Sequence, residues 1–154
     1  MKRAWDYCRI VLISPEALVG LCVVVVAILK PWIILFFSQF ARSNDATIVV
    51  GLIGVPVALT VSAYKLGESL LSHAAEKGLV KWDEYWRLKD RVYFSWILCG
   101  VDLLTTYGAW YLTHQNRLLL GTSVIIAGWG MCGVSIASLA IARVSLRDTV
   151  ATEE

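Results

Sequence analysis

Residues 65–91 read KLGESLLSHAAEKGLVKWDEYWRLKDR, and this stretch decides how the rest of the chain is understood. It carries 11 of the 26 Lys, Arg, Asp and Glu residues in a chain of 154. On either side the sequence is dominated by long apolar runs, and overall 58% of residues are hydrophobic and 17% charged. A soluble domain spreads charge over its surface at about a quarter of its residues. Charge gathered into one central segment instead marks a membrane protein with a polar element between its second and third spans.

Working outward, Ala46 to Tyr64, Val92 to Leu112 and Leu118 to Ala142 are each long enough to cross a bilayer as helices. The first apolar run admits two registers, one over Ile10 to Leu29 and one over about Pro15 to Phe37. Ser14-Pro15-Glu16 selects the second: Ser is a good N-cap, Pro suits the first helical position, and Glu in the first turn suits the helix dipole. Pro31 is expected to kink this helix, because its ring meets the carbonyl of Ala27. Residues 1–13, with Trp5, Tyr7, Ile10 and Val11, then lie along the interface. Lys2 and Arg3 precede an apolar run as in a signal peptide, but Leu29-Lys30-Pro31 offers no small-residue cleavage site, so the run is read as retained. The fold expected is an all-α membrane domain over 1–154 with spans at 15–37, 46–64, 92–112 and 118–142.

Basic residues orient it. Lys2, Arg3 and Arg9, six in 65–91, and Arg143 and Arg147 place 11 on one side, against Arg42 and Arg117 on the other. The positive-inside rule puts both termini and the central segment in the cytoplasm. The expected location is a bacterial inner membrane. Tyr64 and Tyr93 fall at the inner boundary and Trp110 and Tyr111 at the outer one, as aromatic belts do.

The helical pattern continues past Tyr64 through Leu66, Leu70 and Ala74, and Gly78 supplies a stop after Lys77. Leu79, Trp82 and Trp86 then repeat at helical spacing, so 65–91 reads as a cytoplasmic hairpin extending spans two and three. In the plainest reading Leu66, Leu70 and Ala74 pack against Trp82 and Trp86. Yet Trp82, Tyr85 and Trp86 offer more aromatic surface than that contact needs, and with Arg87 and Lys89 they form a candidate site for a cytosolic protein. Six basic and five acidic residues in this segment argue against a purely lipid-binding arm.

Two charges fall inside the spans. By helical rise Lys30 and Asp102 lie about 21 and 15 Å deep, within reach of each other. A lone charge there costs several kcal/mol, so pairing is expected. Such a pair serves either as an interhelical salt bridge, supported by Thr105 or Thr106, or as an ion or proton site. Small residues recur every four positions at Gly54, Ala58 and Ser62, at Gly128 and Cys132, and at Gly133 and Ala137. These rows permit close helix contact, within one chain or between copies, and the lipid-facing surface favours a homo-oligomer.

Chemistry is sparse. Cys8, Cys22, Cys99 and Cys132 form no CxxC and read as small hydrophobes, with Cys8 a weak palmitoylation candidate. His73 and His114 are expected on opposite membrane sides, and no phosphate loop, metal-ligand cluster or nucleophile elbow occurs. No cofactor or metal is called for, and a net charge of +2 without a basic stripe argues against nucleic-acid binding.

Three function classes follow: a non-enzymatic scaffold or sensor docking an effector through 65–91, an oligomeric channel, holin-like pore or small transporter using Asp102 and Lys30, and a membrane enzyme with no positive sign. In span count and in the charged segment Lys65–Arg91, the chain resembles the small four-span membrane subunits of bacterial anti-phage defence systems such as Kiwa. That resemblance implies a membrane sensor that holds a soluble effector and responds to infection.

Overall fold

The computed structural model describes residues 14–41, 46–76, 85–115 and 117–151, and the structured part of these is helical throughout. Five helices follow one another: α1 (Pro15–Leu29), α2 (Pro31–Ala41), α3 (Ala46–Glu76), α4 (Tyr85–His114) and α5 (Leu118–Ala151).

The start of α1 follows its local code. Ser14 is extended (φ −66°, ψ 145°), and its hydroxyl accepts a hydrogen bond from the Ala17 N–H at 3.2 Å, with Pro15 and Glu16 in the first turn. The expected single kinked helix over 15–37 is corrected here. The chain breaks at Lys30 (φ −136°, ψ 60°) and α2 leaves at 99° to α1. A residue before proline is disfavoured in the helical region, and Pro31 itself makes a good first residue for a new helix. The helix then runs on to Ala41, four residues beyond the expected boundary.

Among the described residues two helices are long and apolar enough to cross a membrane: α3 over Thr47–Ala74 and α5 over Leu118–Val144. The bent α1–α2 pair makes a third if it is one broken span. Helix α4, 30 residues long, falls below the same apolarity, because Asp102, its hydroxyl side chains and its tyrosines and tryptophans lower the mean hydropathy. Apolar side chains face outward around the bundle. Leu104 is 74% exposed, and Val50, Ile97 and Ile141 are also exposed, the inverse of a water-soluble helical protein.

The interior is thin and layered. At one end Leu70, Val92 and Leu139 join α3, α4 and α5, with Leu88 and Trp96 beside them. In the middle Ala63 packs with Cys99 and Cys132. At the other end Ala41, Leu52, Ala109 and Ile125 meet, flanked by Trp110 and Trp129. These layers make α3 antiparallel to α4, and α4 antiparallel to α5. We call the first the basal end and the last the distal end. Leu70 therefore packs on Val92 and Leu139; Trp82, part of the expected hairpin contact, lies outside the described residues. Helix α5 supplies Leu139 to this layer and continues past Ala142 to Ala151.

Helices α4 and α5 share the most extensive contact. On α4 the buried residues are Val92, Ser95, Cys99, Asp102, Thr106, Ala109 and Thr113, spaced alternately by three and four. On α5 Gly121, Ile125, Gly128, Cys132, Ser135 and Leu139 are buried with the same alternation. A 3.5-residue period is that of a left-handed coiled-coil seam, and small residues let such helices approach closely. At Gly121 a Cβ would stand 2.6 Å from the Ala109 carbonyl oxygen.

Candidate functional site

The seam between α4 and α5 holds polar side chains at nearly every turn. At the basal end Arg91 donates to Glu16 of α1 as an ion pair and to the Ser138 hydroxyl at 3.1 Å. The Glu16 side chain is 2% exposed and Arg91 29%, so one guanidinium ties α1, α4 and α5 together in a largely dry setting. One turn deeper, the Ser95 and Ser135 hydroxyls are 2.6 Å apart. Next come Cys99 and Cys132, packed together in one buried cluster with Ala63.

Asp102 sits near mid-helix and is 4% exposed. Its Oδ1 accepts a long hydrogen bond from Thr106 at 3.4 Å, while its Oδ2 is buried with no hydrogen-bond partner. The carboxylate lies directly against Gly128, where a Cβ would fall on Oδ1 and within 2.9 Å of Cγ. Only glycine accepts Asp102 in this position. Beyond it the seam becomes apolar at Ala109 and Ile125. Thr122 Oγ1 and the indole nitrogens of Trp110 and Trp129 are buried without a hydrogen-bond partner.

Lys30 is not brought to Asp102. It is exposed at the α1–α2 elbow, among the exposed Ile28, Leu29 and Trp32. The Pro31 break turns the chain so that Lys30 points outward, and depth alone could not reveal this. Glu16 takes the interhelical ion pair instead. Its first-turn position pointed only to the helix dipole, but it is also the only carboxylate in the first apolar run, which was the available signal. Thr105 donates to the Asp102 backbone carbonyl and Thr106 to its side chain.

The candidate partner-binding residues divide. Trp82 lies outside the described residues, as does Gly78. Trp86 is 65% exposed and Arg87 is exposed, whereas Tyr85 and Lys89 are half-buried. The Lys89 ammonium lies 5.2 Å from the Trp86 ring and 5.7 Å from the Tyr93 ring, a cation-π bracket along one face of α4. Tyr64 lies tilted against Trp96 at 5.1 Å and Tyr93 meets it edge-on at 5.4 Å, so the two expected belt tyrosines stand at one level.

The small-residue rows also divide. Gly128 and Cys132 face α4, but Gly54, Ala58 and Ser62 on α3, and Gly133 and Ala137 on α5, are exposed. A Cβ at Gly54 or Gly133 would meet nothing within 4 Å. His73 and His114 stand near opposite ends of the bundle, and His114 stacks on Trp110 at 4.8 Å. Among the described residues no three His, Cys, Asp or Glu side chains converge as metal ligands.

Comparison with protein-family models, curated proteins and solved structures finds no match to this chain.

Proposed function

We propose that this chain is a non-enzymatic integral membrane scaffold or sensor that recruits a cytosolic effector protein through residues 65–91. The observation that carries the reading is the setting of Trp86. It is 65% exposed, one face is bracketed by Lys89, and it lies seven residues before the belt tyrosine Tyr93. By helical rise that is about 10 Å further out along α4, past the level where an aromatic anchors to lipid headgroups. An exposed tryptophan on a rigid helix, among mixed charge, has the character of an interface anchor. The base beneath is firm, since Leu70 and Ala74 are buried.

In this reading the topology is four spans with both termini cytoplasmic. The third crossing, α4, is supported by its packing along both α3 and α5, and its polar residues turn toward α5 and away from lipid. The exposed Gly54–Ala58–Ser62 and Gly133–Ala137 rows suit contact between copies in a homo-oligomer. The setting we favour is a bacterial inner membrane and a defence response to phage. The alternative, an oligomeric channel or transporter using Asp102 and Lys30, draws less support because those two charges are apart.

The test is affinity purification of the intact protein from its native membrane, with mass spectrometry of what accompanies it. A cytosolic protein that is lost with Trp86→Ala, while the membrane protein itself remains folded and abundant, is the expected result. Equal recovery with Trp86→Ala removes Trp86 as the anchor. Conductance or substrate flux in liposomes without any partner favours the alternative.

A further inference from the structure

Asp102 is an unusual group to leave as it is. Its Oδ2 has no partner, the hydroxyl on Oδ1 is long at 3.4 Å, and the neighbouring groups on α5 are a glycine and a thiol. A structural salt bridge would bring a cation, and none of the described cations comes to it. Glu16 is engaged by Arg91, and Lys30, Lys65, Glu68 and His73 are exposed. Helix α2 has no ionisable side chain, and Cys22 of α1 is exposed. The ionisable groups facing Asp102 are thus Cys132 from α5 and Cys99 from its own helix.

A metal ion is a poor fit. Hard cations need six or more oxygens, and here one carboxylate and one threonine hydroxyl converge. A proton needs one lone pair, and Oδ2 offers it. The approach is also one-sided. From Asp102 toward the basal end the seam passes the Cys99–Cys132 thiols, the Ser95–Ser135 pair at 2.6 Å and the Ser138–Arg91 contact at 3.1 Å, ending at the partly exposed Arg91. One helical turn separates each level from the next. Toward the distal end the buried hydroxyls do not pair with one another: Thr113 bonds the Ala41 and Trp110 carbonyls, Thr122 Oγ1 has no hydrogen-bond partner, and Ala109, Ile125, Leu52 and Ala41 form an apolar cluster there.

We propose that Asp102 is a reversible proton-binding site inside the membrane, filled from the basal face through the polar column and closed to the distal face. The proton comes from water at the Arg91 end and bonds to Oδ2, converting the carboxylate to the acid with no other bond made or broken. A site open to one face reports the pH of that face and conducts nothing across. The proposal rests on α4 and α5 crossing the membrane, and it stands whether or not 65–91 binds a protein.

The experiment is infrared difference spectroscopy on the full-length protein in sealed vesicles of known orientation, stepping pH on one face at a time. A carboxyl band that appears and disappears with pH, is absent in Asp102→Asn and is shifted in the shape-conserving Thr106→Val is expected. The band answers promptly to a step on the basal face and only after slow equilibration to a step on the distal face. In Ser135→Val the basal response slows while the band stays in place. No pH-dependent band sensitive to Asp102 or Thr106 overturns the site. An equal response from both faces overturns the one-sided route. Failure of the effector copurification leaves these results unaffected, so the two readings are tested separately.

Discussion

Replacing Gly128 with alanine puts a methyl group where the Asp102 carboxylate lies. The added Cβ falls on Oδ1 and within 2.9 Å of Cγ, and both groups belong to closely packed helices, so one must yield. If the helices part, the seam is overpacked and loses about 1–3 kcal/mol. If Asp102 rotates, it gives up the Thr106 hydroxyl, at about 1 kcal/mol. Alanine is the better helix former by about 1 kcal/mol, which offsets part of either loss. The net expected destabilisation is up to about 2 kcal/mol, or about 1–3 kcal/mol when measured against a glycine-to-alanine change that meets nothing. Gly133→Ala is the internal control, because its Cβ meets nothing within 4 Å and only the propensity gain applies. The assay is reversible unfolding in mixed micelles with increasing denaturing detergent, followed by tryptophan fluorescence, with Trp96 and Trp129 near the seam. Asp102→Ala in the Gly128→Ala background removes the collision, and the double-mutant cycle shows a favourable coupling of at least about 1 kcal/mol. If Gly128→Ala is as harmless as Gly133→Ala, or Asp102→Ala fails to rescue it, then Asp102 does not pack on Gly128 and the description of the seam is wrong.

Two further outcomes bear on the basal clamp and on topology. Arg91→Met leaves the buried Glu16 without its cation and lowers stability by about 3 kcal/mol, the lower end for a broken buried pair because Arg91 is 29% exposed; adding Glu16→Leu recovers most of that loss in the same assay. Single cysteines at Ser72 and at Gln115, in a background lacking the native thiols, react with an impermeant maleimide from opposite faces, Ser72 from the cytosol; labelling of both from one face contradicts the four-span arrangement.

What could be read before the structure was known depended on whether a feature is local. Ser14, Pro15 and Glu16 act over one turn, and the helix begins where they indicate. Pro31 is local too, but it specifies only that the helix is disturbed. The 99° turn depends on where α2 is held, through the buried Ile34 and Ser38 and the approach of Ala41 to Thr113. The Lys30–Asp102 pairing failed for a related reason. Helical rise gives depth, whereas pairing also needs rotation about each axis, and the break at Lys30 altered that rotation. The glycine rows show the same gap: Gly128 and Gly133 look equivalent in sequence, yet one is buried against Asp102 and the other is open. Charges at Arg143, Arg147 and Asp148 end the apolar run in the sequence, but the helix itself continues to Ala151.

Helix α4 falls below the apolarity of its neighbours because composition sums a helix over all its faces. Its outward face is Tyr93, Ile97, Val101 and Leu104, as apolar as a lipid-facing surface requires, and its polar groups lie on the stripe turned to α5. In the proposed four-span reading, α4 alone would expose Ser95, Asp102 and Thr106 to lipid at a cost of several kcal/mol. Paired, it buries them. The two helices are therefore one folding unit, and the short connection between His114 and Leu118 makes that pairing local in the chain. The same rigid helix carries Asp102 in its middle and Trp86 at its basal end, 16 residues or about 24 Å apart by helical rise. On the proposed reading, a change of charge on Asp102 alters the fit of α4 against Gly128, and a shift of α4 moves Trp86 with it. In the proposed reading, the proton site and the docking residue are thus two positions on one lever, and infrared and copurification measurements on Asp102→Asn decide whether the second follows the first.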